Sequence, residues 1–242
     1  MRADLSLLRT RWLPTVATIV LVILFIRLGL WQQHKAEAKQ TLQTQLDQRL
    51  QQAPVALRGP ITDVDAWRYR RILLRGHYQP RYQILLDNQV HQQTAGYHVI
   101  TPLRTEGSAA YILVDRGWIP APADHRTLPT VATPAAAQVV TGYLWLPPDK
   151  FFMLGDPPPE GWQAVWQNLD MQRYARSVPF AVQPLVVRLD PHSAAAGFVR
   201  DWPRPAERME MHLGYAYQWY GFAVTLLVIY LVLSFRKDGK TK

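Results

Sequence analysis

The residues best suited to chemistry stand at the ends of two long apolar segments. His212 heads the second segment, and helical spacing places Tyr215 and Trp219 on its face, three and seven residues later. An imidazole can be an axial ligand of haem iron, and flat aromatic side chains can pack against a macrocycle. The pattern around His212 therefore predicts a face that could bind a cofactor.

Arg27 lies near the end of the first apolar segment, and Trp31 and His34 follow it on one helical face. Two antiparallel membrane helices would bring this end beside His212. A charge inside a membrane segment is costly and often marks function, although an arginine near the boundary can extend to the surface. Two interpretations of Arg27 and His212 follow. They are interfacial anchors, or they belong to a haem pocket in which Arg27 faces the propionates and His212 binds the iron.

The residues just before the second segment offer a different metal site. Met209-Glu210-Met211-His212 carries two thioethers and an imidazole, which are ligands that suit Cu(I). Two methionines and one histidine in four residues are a small set of ligands. Carriage of Cu(I) is therefore the lesser alternative to haem binding.

Other classes of site are excluded by the sequence. The chain has no cysteine, which excludes disulfides, thiolate zinc or iron–sulfur sites and covalent c-type haem. It has no nucleophile elbow, no zinc-protease helix motif, no phosphate-binding glycine loop and no suggestive pair of carboxylates. We therefore expect a protein that is not an enzyme. Five other histidines fall singly in predicted strands or loops, as surface or hydrogen-bonded residues: His77, His91, His98, His125 and His192.

Two membrane helices are the elements that would position these residues. Residues 12–31 carry one charge, and at about 1.5 Å per residue they just span a hydrocarbon core of roughly 30 Å. Residues 212–235 are equally apolar and are followed at once by a basic stretch, which is typical of a stop-transfer sequence. A cleaved signal peptide is less favoured, because the one small-residue motif, Ala36-Glu37-Ala38, lies too far beyond the apolar core.

The distribution of charge predicts the topology. The 27 basic and 18 acidic residues leave a net charge of +9. The tails at residues 1–11 and 236–242 carry +2 and +3, whereas residues 32–211 carry only +3 over 180 positions. The positive-inside rule therefore places both termini in the cytoplasm and the central domain on the outer face of the membrane. Because that domain lacks a basic stripe, nucleic acid is excluded as a partner.

The central region predicts a stalk followed by a β-rich domain, so that the fold class is a membrane protein of α+β type. Residues 32–53 are rich in helix formers and continue the first membrane helix outward as an amphipathic stalk. Residues 54–211 carry short β-branched and aromatic runs, as in an antiparallel barrel or sandwich. The predicted strands cover residues 69–78, 81–90, 97–103, 111–118, 139–146 and 184–189. A short helix is predicted near residues 170–177, and long proline-rich loops, typical of partner-facing segments, at 119–138, 147–161 and 190–205.

Four short motifs occur in order along the chain. They are Leu28-Gly29-Leu30-Trp31-Gln32, Gly96-Tyr97-His98-Val99-Ile100-Thr101-Pro102-Leu103, Asp115-Arg116-Gly117-Trp118-Ile119-Pro120, and His212-Leu213-Gly214-Tyr215-Ala216 with Gln218-Trp219. With two terminal membrane helices around an outer domain, they resemble the surfeit-locus (Surf-type) cytochrome c oxidase assembly family over essentially the whole chain. Any one motif is weakly specific, whereas four in sequence with this layout make a strong match.

The resemblance implies a bacterial inner-membrane assembly factor in the biogenesis of a haem–copper terminal oxidase of the respiratory chain. Its partners would be the oxidase catalytic subunit, the haem A synthesis machinery and the lipid bilayer. Some family members bind haem A, and the histidine at the head of the second helix, which is His212 in this chain, is important for that. The expected haem A site lies between the outer ends of the helices, with His212 on the iron and these residues around it: Arg27, Trp31, Tyr215 and Trp219.

Two alternatives to cofactor carriage stay open at this point. The protein could be a scaffold without a cofactor, whose long loops bind oxidase subunits, or the Cu(I) carrier described above. In the third motif, Arg116 and Trp118 can lock the barrel internally or face a partner, and we favour the structural role. The family often has asparagine where this chain has Asp115.

Overall fold

The computed structural model describes five stretches of the chain, with side chains from residue 12 to residue 234. These stretches are residues 5–57, 59–124, 127–148, 161–204 and 209–238. His125, most of the predicted loop 147–161 and the ends of both predicted tails lie outside the described residues.

Within these stretches the chain forms four α-helices, one 3₁₀ turn at Pro80–Tyr82 and eight strands. The helices are α1 (Leu5–Leu50), α2 (Val64–Trp67), α3 (Met171–Ser177) and α4 (Met209–Asp238). The strands are β1 (Val55–Ala56), β2 (Arg71–Tyr78), β3 (Ile84–His91), β4 (Thr94–Thr105), β5 (Tyr111–Pro120), β6 (Gln138–Trp145), β7 (Val165–Trp166) and β8 (Val182–Leu189).

The two long helices have the composition of membrane spans. Both are long and apolar enough to cross a membrane, and only 11% of the most apolar window of each is buried within the protein. A core helix of a soluble protein would be mostly buried, so these surfaces are suited to lipid. Helix α1 continues without a break through the predicted stalk and ends at Leu50, and α4 begins at Met209, three residues before the predicted start.

The chain divides into two compact units, which are described separately. The helix unit consists of Met1–Thr44 with Pro203–Lys242, and the barrel unit of Gln45–Trp202. The barrel unit thus begins inside α1, earlier than the predicted boundary at residue 54. The reason is packing at the end of α1, where Leu46 is buried and Arg49 Nη1 donates to the carbonyl oxygens of Ala66, at 2.7 Å, and Arg68.

Five strands close into a barrel. They follow each other in the order β2, β6, β8, β5 and β4, and pairing of β4 with β2 completes the ring. Of the two predicted architectures, the structure therefore has the barrel. Most of its pairs are antiparallel as predicted, but β5 and β8 are parallel. Strand β8 lies between β6 and β5. It runs antiparallel to β6, which itself runs opposite to β5, so β8 and β5 lie parallel.

Apolar side chains fill the barrel and also cover part of its outside. The interior is lined mostly by aliphatic residues at alternating strand positions, among them Ile72, Leu74, Leu103, Ile112, Val114, Leu144 and Val187. Helix α3 and β7 cover the outer face of β4, β5 and β8, where Trp166 and Tyr174 are fully buried. Strand β5 is therefore buried on both faces over most of its length.

All six predicted strands and the predicted short helix are present, with ends shifted by a few residues. Helix α3 begins after Asp170, whose carboxylate accepts from the Arg173 amide at 2.9 Å and caps the helix. The elements that the sequence did not predict have two to four residues each and are too short for a periodic signal: β1, α2, the 3₁₀ turn and β7.

Candidate functional site

Helices α1 and α4 pack as an antiparallel pair along one stripe of each helix, which we call the seam. Its residues recur every three or four positions, the spacing that keeps two helices in contact. The buried or half-buried seam positions of α1 are Thr15, Thr18, Val22, Phe25, Gly29, Gln32 and Ala36, and those of α4 are His212, Ala216, Trp219, Tyr220, Ala223, Leu226 and Tyr230.

Contacts along the seam combine close packing with hydrogen bonds. At one end, the hydroxyls of Thr15 and Tyr230 are 2.6 Å apart. In the middle, the rings of Phe25 and Trp219 stack at 5.7 Å. Gly29 lies so close to Tyr220 that a Cβ atom there would be 2.4 Å from the ring. Small residues and interhelical hydrogen bonds are what hold helices together in lipid, where the hydrophobic effect does not.

A polar cluster lies at the other end of the seam. The Nδ1 atom of His212 is 2.8 Å from Oε1 of Gln32, and the Tyr220 hydroxyl donates to Oε1 of Gln33 at 3.1 Å. Two consecutive glutamines of α1 thus each bind a polar side chain of α4. The sequence analysis singled out His212 but assigned no role in the site to Gln32, Gln33 or Tyr220. Their signal was two adjacent amides directly after the apolar segment of α1.

The residues predicted to surround His212 divide between two faces. Trp219 shares the α1-facing stripe with His212. Three of the predicted residues lie outside the seam: Arg27, Trp31 and Tyr215. Trp31 is 54% exposed and Tyr215 is 46% exposed. The reason is that α1 meets α4 through Phe25, Gly29 and Gln32 rather than through the Arg27 stripe. The structure therefore does not bring Arg27 or Trp31 to the face of α1 that contacts His212, and their part in haem binding stays a prediction.

The helical conformation at Met209 bears on the Cu(I) alternative. Met209 and Met211 are two positions apart in the first turn of α4, and Met211 is 47% exposed. Two residues of an α-helix turn through about 200°, so the thioethers leave the helix on opposite sides. His212 and both methionines of this turn therefore do not converge on one ion.

In the barrel unit, the third motif forms a β-bulge. The pairing of β4 with β5 shifts between His98 and Ile100, which face Trp118 and Asp115. Gly117 supplies the φ of 117° that the bulge requires, and a Cβ atom there would lie 2.5 Å from the Val199 carbonyl oxygen. The bulge turns the two residues before Gly117 into the protein, since Asp115 and Arg116 are 2% and 1% exposed.

Arg116 binds segments that are distant in sequence. Its guanidinium donates to the carbonyl oxygens of Ala132 and Ala196, at 2.7 and 2.9 Å, and to the Thr133 hydroxyl at 2.8 Å. It also lies 5.0 Å from the ring centres of Tyr78 and Phe198. Two of the three long loops are thereby tied to the barrel, which is the structural role that we favoured for this residue.

The charge of Arg116 is held by dipoles and aromatic faces. Among the described residues, no carboxylate oxygen lies within 4.0 Å of its guanidinium, and burial lowers the pKa of Arg116 from its ordinary value. A buried cation in this setting depends on each hydrogen bond it makes. Substitution of Arg116 should therefore have a large effect on the stability of the barrel unit.

The second and third motifs meet in a histidine–carboxylate pair. His98 Nδ1 is 3.0 Å from both carboxylate oxygens of Asp115, and Asp115 also accepts from the Gly117 amide at 3.2 Å. The Trp202 ring packs on His98 at 5.4 Å. His98, predicted as a surface or hydrogen-bonded residue, is hydrogen-bonded, but its partner could not be read from the sequence because it depends on the bulge.

Comparison with known proteins places these motifs in a family. The model of the SURF1 family matches residues 19–224 of the chain. The chain belongs to the SURF1 family. The match includes the greater part of the seam, the polar cluster at His212 and the whole barrel unit, so both sites described above lie in the SURF1 region.

Several curated SURF1 relatives are similar at low identity. The cytochrome oxidase assembly protein SHY1 of Saccharomyces cerevisiae is 27% identical over 161 residues, which cover 64% of this chain and 41% of SHY1. A SURF1-like protein of Rickettsia bellii is 22% identical over 223 residues, covering 90% and 89% of the two chains. Surfeit locus protein 1 of Mus musculus is 22% identical over 213 residues, covering 80% and 67%. The aligned region thus spans less than half of the yeast relative and most of the bacterial one.

Tyr78, beside Arg116, gives this SURF1 barrel a testable response to alkaline pH. Burial raises the pKa of Tyr78 from 10.0 to about 12, although the charges of Arg116 and Arg200 oppose the shift. Since the pKa is higher in the folded state, its stabilising contribution is complete below pH 10 and is lost as the pH rises towards 12. We expect up to about 3 kcal/mol of the free energy of unfolding to disappear over this interval.

Chemical denaturation from pH 9 to 12 checks this expectation. Tyr78→Phe should lose less stability over the alkaline interval than the parent chain. At neutral pH it should be less stable by about 1 kcal/mol, because the Tyr78 hydroxyl donates to the Ala195 carbonyl oxygen at 3.2 Å. Tyr111→Phe serves as the control and should follow the parent. Equal alkaline losses in the Tyr78→Phe variant and the parent would contradict the assignment.

Proposed function

We propose that the chain is a membrane-anchored assembly factor for a haem–copper terminal oxidase. The family match covers part of both apolar helices and the whole barrel unit, and the yeast relative is named a cytochrome oxidase assembly protein. The distribution of charge supports an orientation with both termini in the cytoplasm and the barrel unit on the outer face, and the family resemblance implies a bacterial inner membrane. Its partners would be the oxidase catalytic subunit and the haem A synthesis machinery.

We further propose that haem A is the cargo and that His212 binds its iron. The observation that carries this proposal is the contact between His212 Nδ1 and Gln32 Oε1 at 2.8 Å. When Nδ1 holds the proton, it donates to the Gln32 amide oxygen and leaves the Nε2 lone pair free. Histidines that bind metals are usually held in this way by a second hydrogen bond. The donor chemistry at His212 therefore fits an axial ligand.

The packing of the helix pair favours a position for the cargo at the end of the seam. Tyr220 lies against Gly29, so the helices are in contact below the polar cluster. A macrocycle bound by His212 would therefore lie beside the polar cluster rather than deep between the helices. Trp219 shares the face of His212, whereas Arg27 and Trp31 lie on the outward face of α1.

Spectroscopy of the purified chain tests haem carriage. The full chain is co-expressed with haem A synthesis enzymes, purified in detergent and examined for a Soret band. We expect a band in the parent and its loss in His212→Ala. Gln32→Leu should reduce haem occupancy about tenfold, the lower bound for loss of a partner that orients a ligand. His34→Ala is the matched control, because His34 is an exposed histidine of the same unit, and it should keep the band.

The result separates the competing functions. A parent chain without a Soret band, or a Soret band unchanged in His212→Ala, would contradict haem carriage. Tight Cu(I) binding that disappears when Met209 and Met211 are changed would favour copper carriage instead.

A scaffold without a cofactor is the second candidate, and one observation favours it. Arg116 ties the loop at Ala132 and the loop at Ala196 to the barrel, so that both loops offer a preformed surface for a partner. A scaffold predicts that changes in these loops impair oxidase assembly whereas His212→Ala does not.

A further inference from the structure

Arg27 points to a binding site that is separate from His212. It is the one charged residue among the apolar residues 12–31, and its side chain is exposed. Among the described residues, Arg27 has no hydrogen bond, ion pair or ring contact. A cation at this depth in a membrane is costly unless an anion or the headgroup layer receives it.

The outward face of α1 carries Arg27 away from α4. Phe25 and Gly29, two positions before and after it, both contact α4. Two residues of an α-helix turn through about 200°, so Arg27 lies on the opposite side. Trp31 and His34 share this side and are exposed. We call these three residues the outer stripe.

Among the described residues, the carboxylates of α1 and α4 do not provide the missing anion. Residues 5–36 of α1 contain no aspartate or glutamate, and the next acid, Glu37, accepts from Gln33 Nε2 at 3.0 Å. The acids of α4 are Glu210 and Asp238, which stand at its two ends. The anion that complements Arg27 therefore comes from outside the helix pair.

Geometry selects the headgroup layer as its source. Trp31 lies about 6 Å further along the helix axis, at the end of the apolar segment. An arginine side chain that extends along the helix reaches this level, and a tryptophan there marks the boundary between hydrocarbon and headgroups. His34 stands on the other side of the same level and can donate from its ring. Arg27 and His34 thus approach one interfacial layer from below and above.

We propose that the outer stripe binds the phosphate of an anionic phospholipid in the leaflet that Trp31 marks. A zwitterionic lipid carries its own ammonium group, which competes with Arg27 for the phosphate, so a net negative headgroup is preferred. The bound lipid would fix the depth of α1 in the membrane. This inference goes beyond oxidase assembly and assigns Arg27 to lipid rather than to haem propionates.

Native mass spectrometry of the full chain tests the proposal. The protein is purified in detergent and mixed with equal amounts of phosphatidylglycerol and phosphatidylcholine, and the lipid retained per chain is counted. We expect retention of phosphatidylglycerol over phosphatidylcholine by about fivefold, the contribution of one cation near a membrane surface. Arg27→Gln should abolish the preference. Lys35→Gln removes an exposed cation outside the outer stripe and should keep it.

Two further arms identify the anion. Inorganic phosphate at high concentration should not displace the bound phosphatidylglycerol. If phosphate does displace the lipid, the site binds free phosphate and the proposal is overturned. No preference for the anionic lipid, or a preference unchanged in Arg27→Gln, would overturn it as well. The Soret band should persist in Arg27→Gln. Loss of that band with an unchanged lipid preference would assign Arg27 to haem binding instead. Failure of the lipid site can therefore be distinguished from failure of haem carriage.

Discussion

Replacement of Arg116 by methionine is expected to lower the free energy of unfolding of the barrel unit by about 3–5 kcal/mol. Methionine keeps the apolar stem but offers no donor. The carbonyl oxygens of Ala132 and Ala196 and the Thr133 hydroxyl would then lose this donor at a partly buried site. Each such loss costs about 1–3 kcal/mol, which is large against a total stability of about 5–15 kcal/mol.

Chemical denaturation followed by tryptophan fluorescence measures the change, and limited proteolysis reports on the two loops. The loops near Ala132 and Ala196 should become the first sites of cleavage, since Arg116 no longer ties them to the barrel. Arg116→Lys keeps the charge but not the planar set of donors, so it should recover only part of the stability. Arg75→Met is the matched control. Arg75 pairs with Glu106 on the surface and its loss should cost less than about 1 kcal/mol. Equal stability of the Arg116→Met and Arg75→Met variants would rule out Arg116 as the residue that holds the loops to the barrel.

The parts of the fold that followed from the sequence are those set by local pattern. Each apolar segment, and the stalk, is an unbroken run of helix-compatible residues. The first apolar segment and the stalk lie in α1, and the second apolar segment lies in α4. The short helix predicted near residues 170–177 is α3, and the Asp170 carboxylate caps it. Short β-branched and aromatic runs identified the six main strands. In each case the signal and the structure that it predicts lie within the same few residues.

The arrangement of the candidate site depended on contacts that local pattern does not encode. Helix α1 carries two stripes that could face a partner, one through Arg27 and Trp31 and the other through Phe25, Gly29 and Gln32. Chemistry drew attention to the first, whereas the close approach at Gly29 and the amide of Gln32 select the second. Periodicity predicts that a helix has faces, but the partner helix decides which one is buried.

Strand pairing limited the prediction in the barrel for a similar reason. The parallel pairing of β5 with β8 depends on where the chain returns to the sheet after α3, and no short run of residues specifies that position. The contact of His98 with Asp115 depends on the bulge at Gly117, because a regular register would pair different residues. The two motifs were visible in the sequence as separate features, and only the sheet joins them.

Replacement of Asp115 by alanine is expected to cost about 2–4 kcal/mol, because a buried amide and a partly buried ring nitrogen lose their acceptor at once. These donors are the ring nitrogen of His98 and the Gly117 amide, and Asp115 itself is 2% exposed. The Gly117 amide belongs to the bulge that directs Arg116 inward. Loss of its acceptor should therefore also loosen the loops that Arg116 holds.

Asparagine at position 115 is the informative control, since its amide has nearly the shape of the carboxylate but no charge. Its amide oxygen can accept from Gly117 as the carboxylate does, and its NH₂ group can donate to His98 if the imidazole proton moves to Nε2. We expect Asp115→Asn to lose less than about 1 kcal/mol and to switch the His98 tautomer. Denaturation measures the first effect, and nitrogen NMR of the imidazole, with Nδ1–H in the parent and Nε2–H in the variant, measures the second. Should asparagine destabilise the barrel as much as alanine, or leave the His98 tautomer unchanged, the contact between His98 and Asp115 would not be the one that holds the two motifs together.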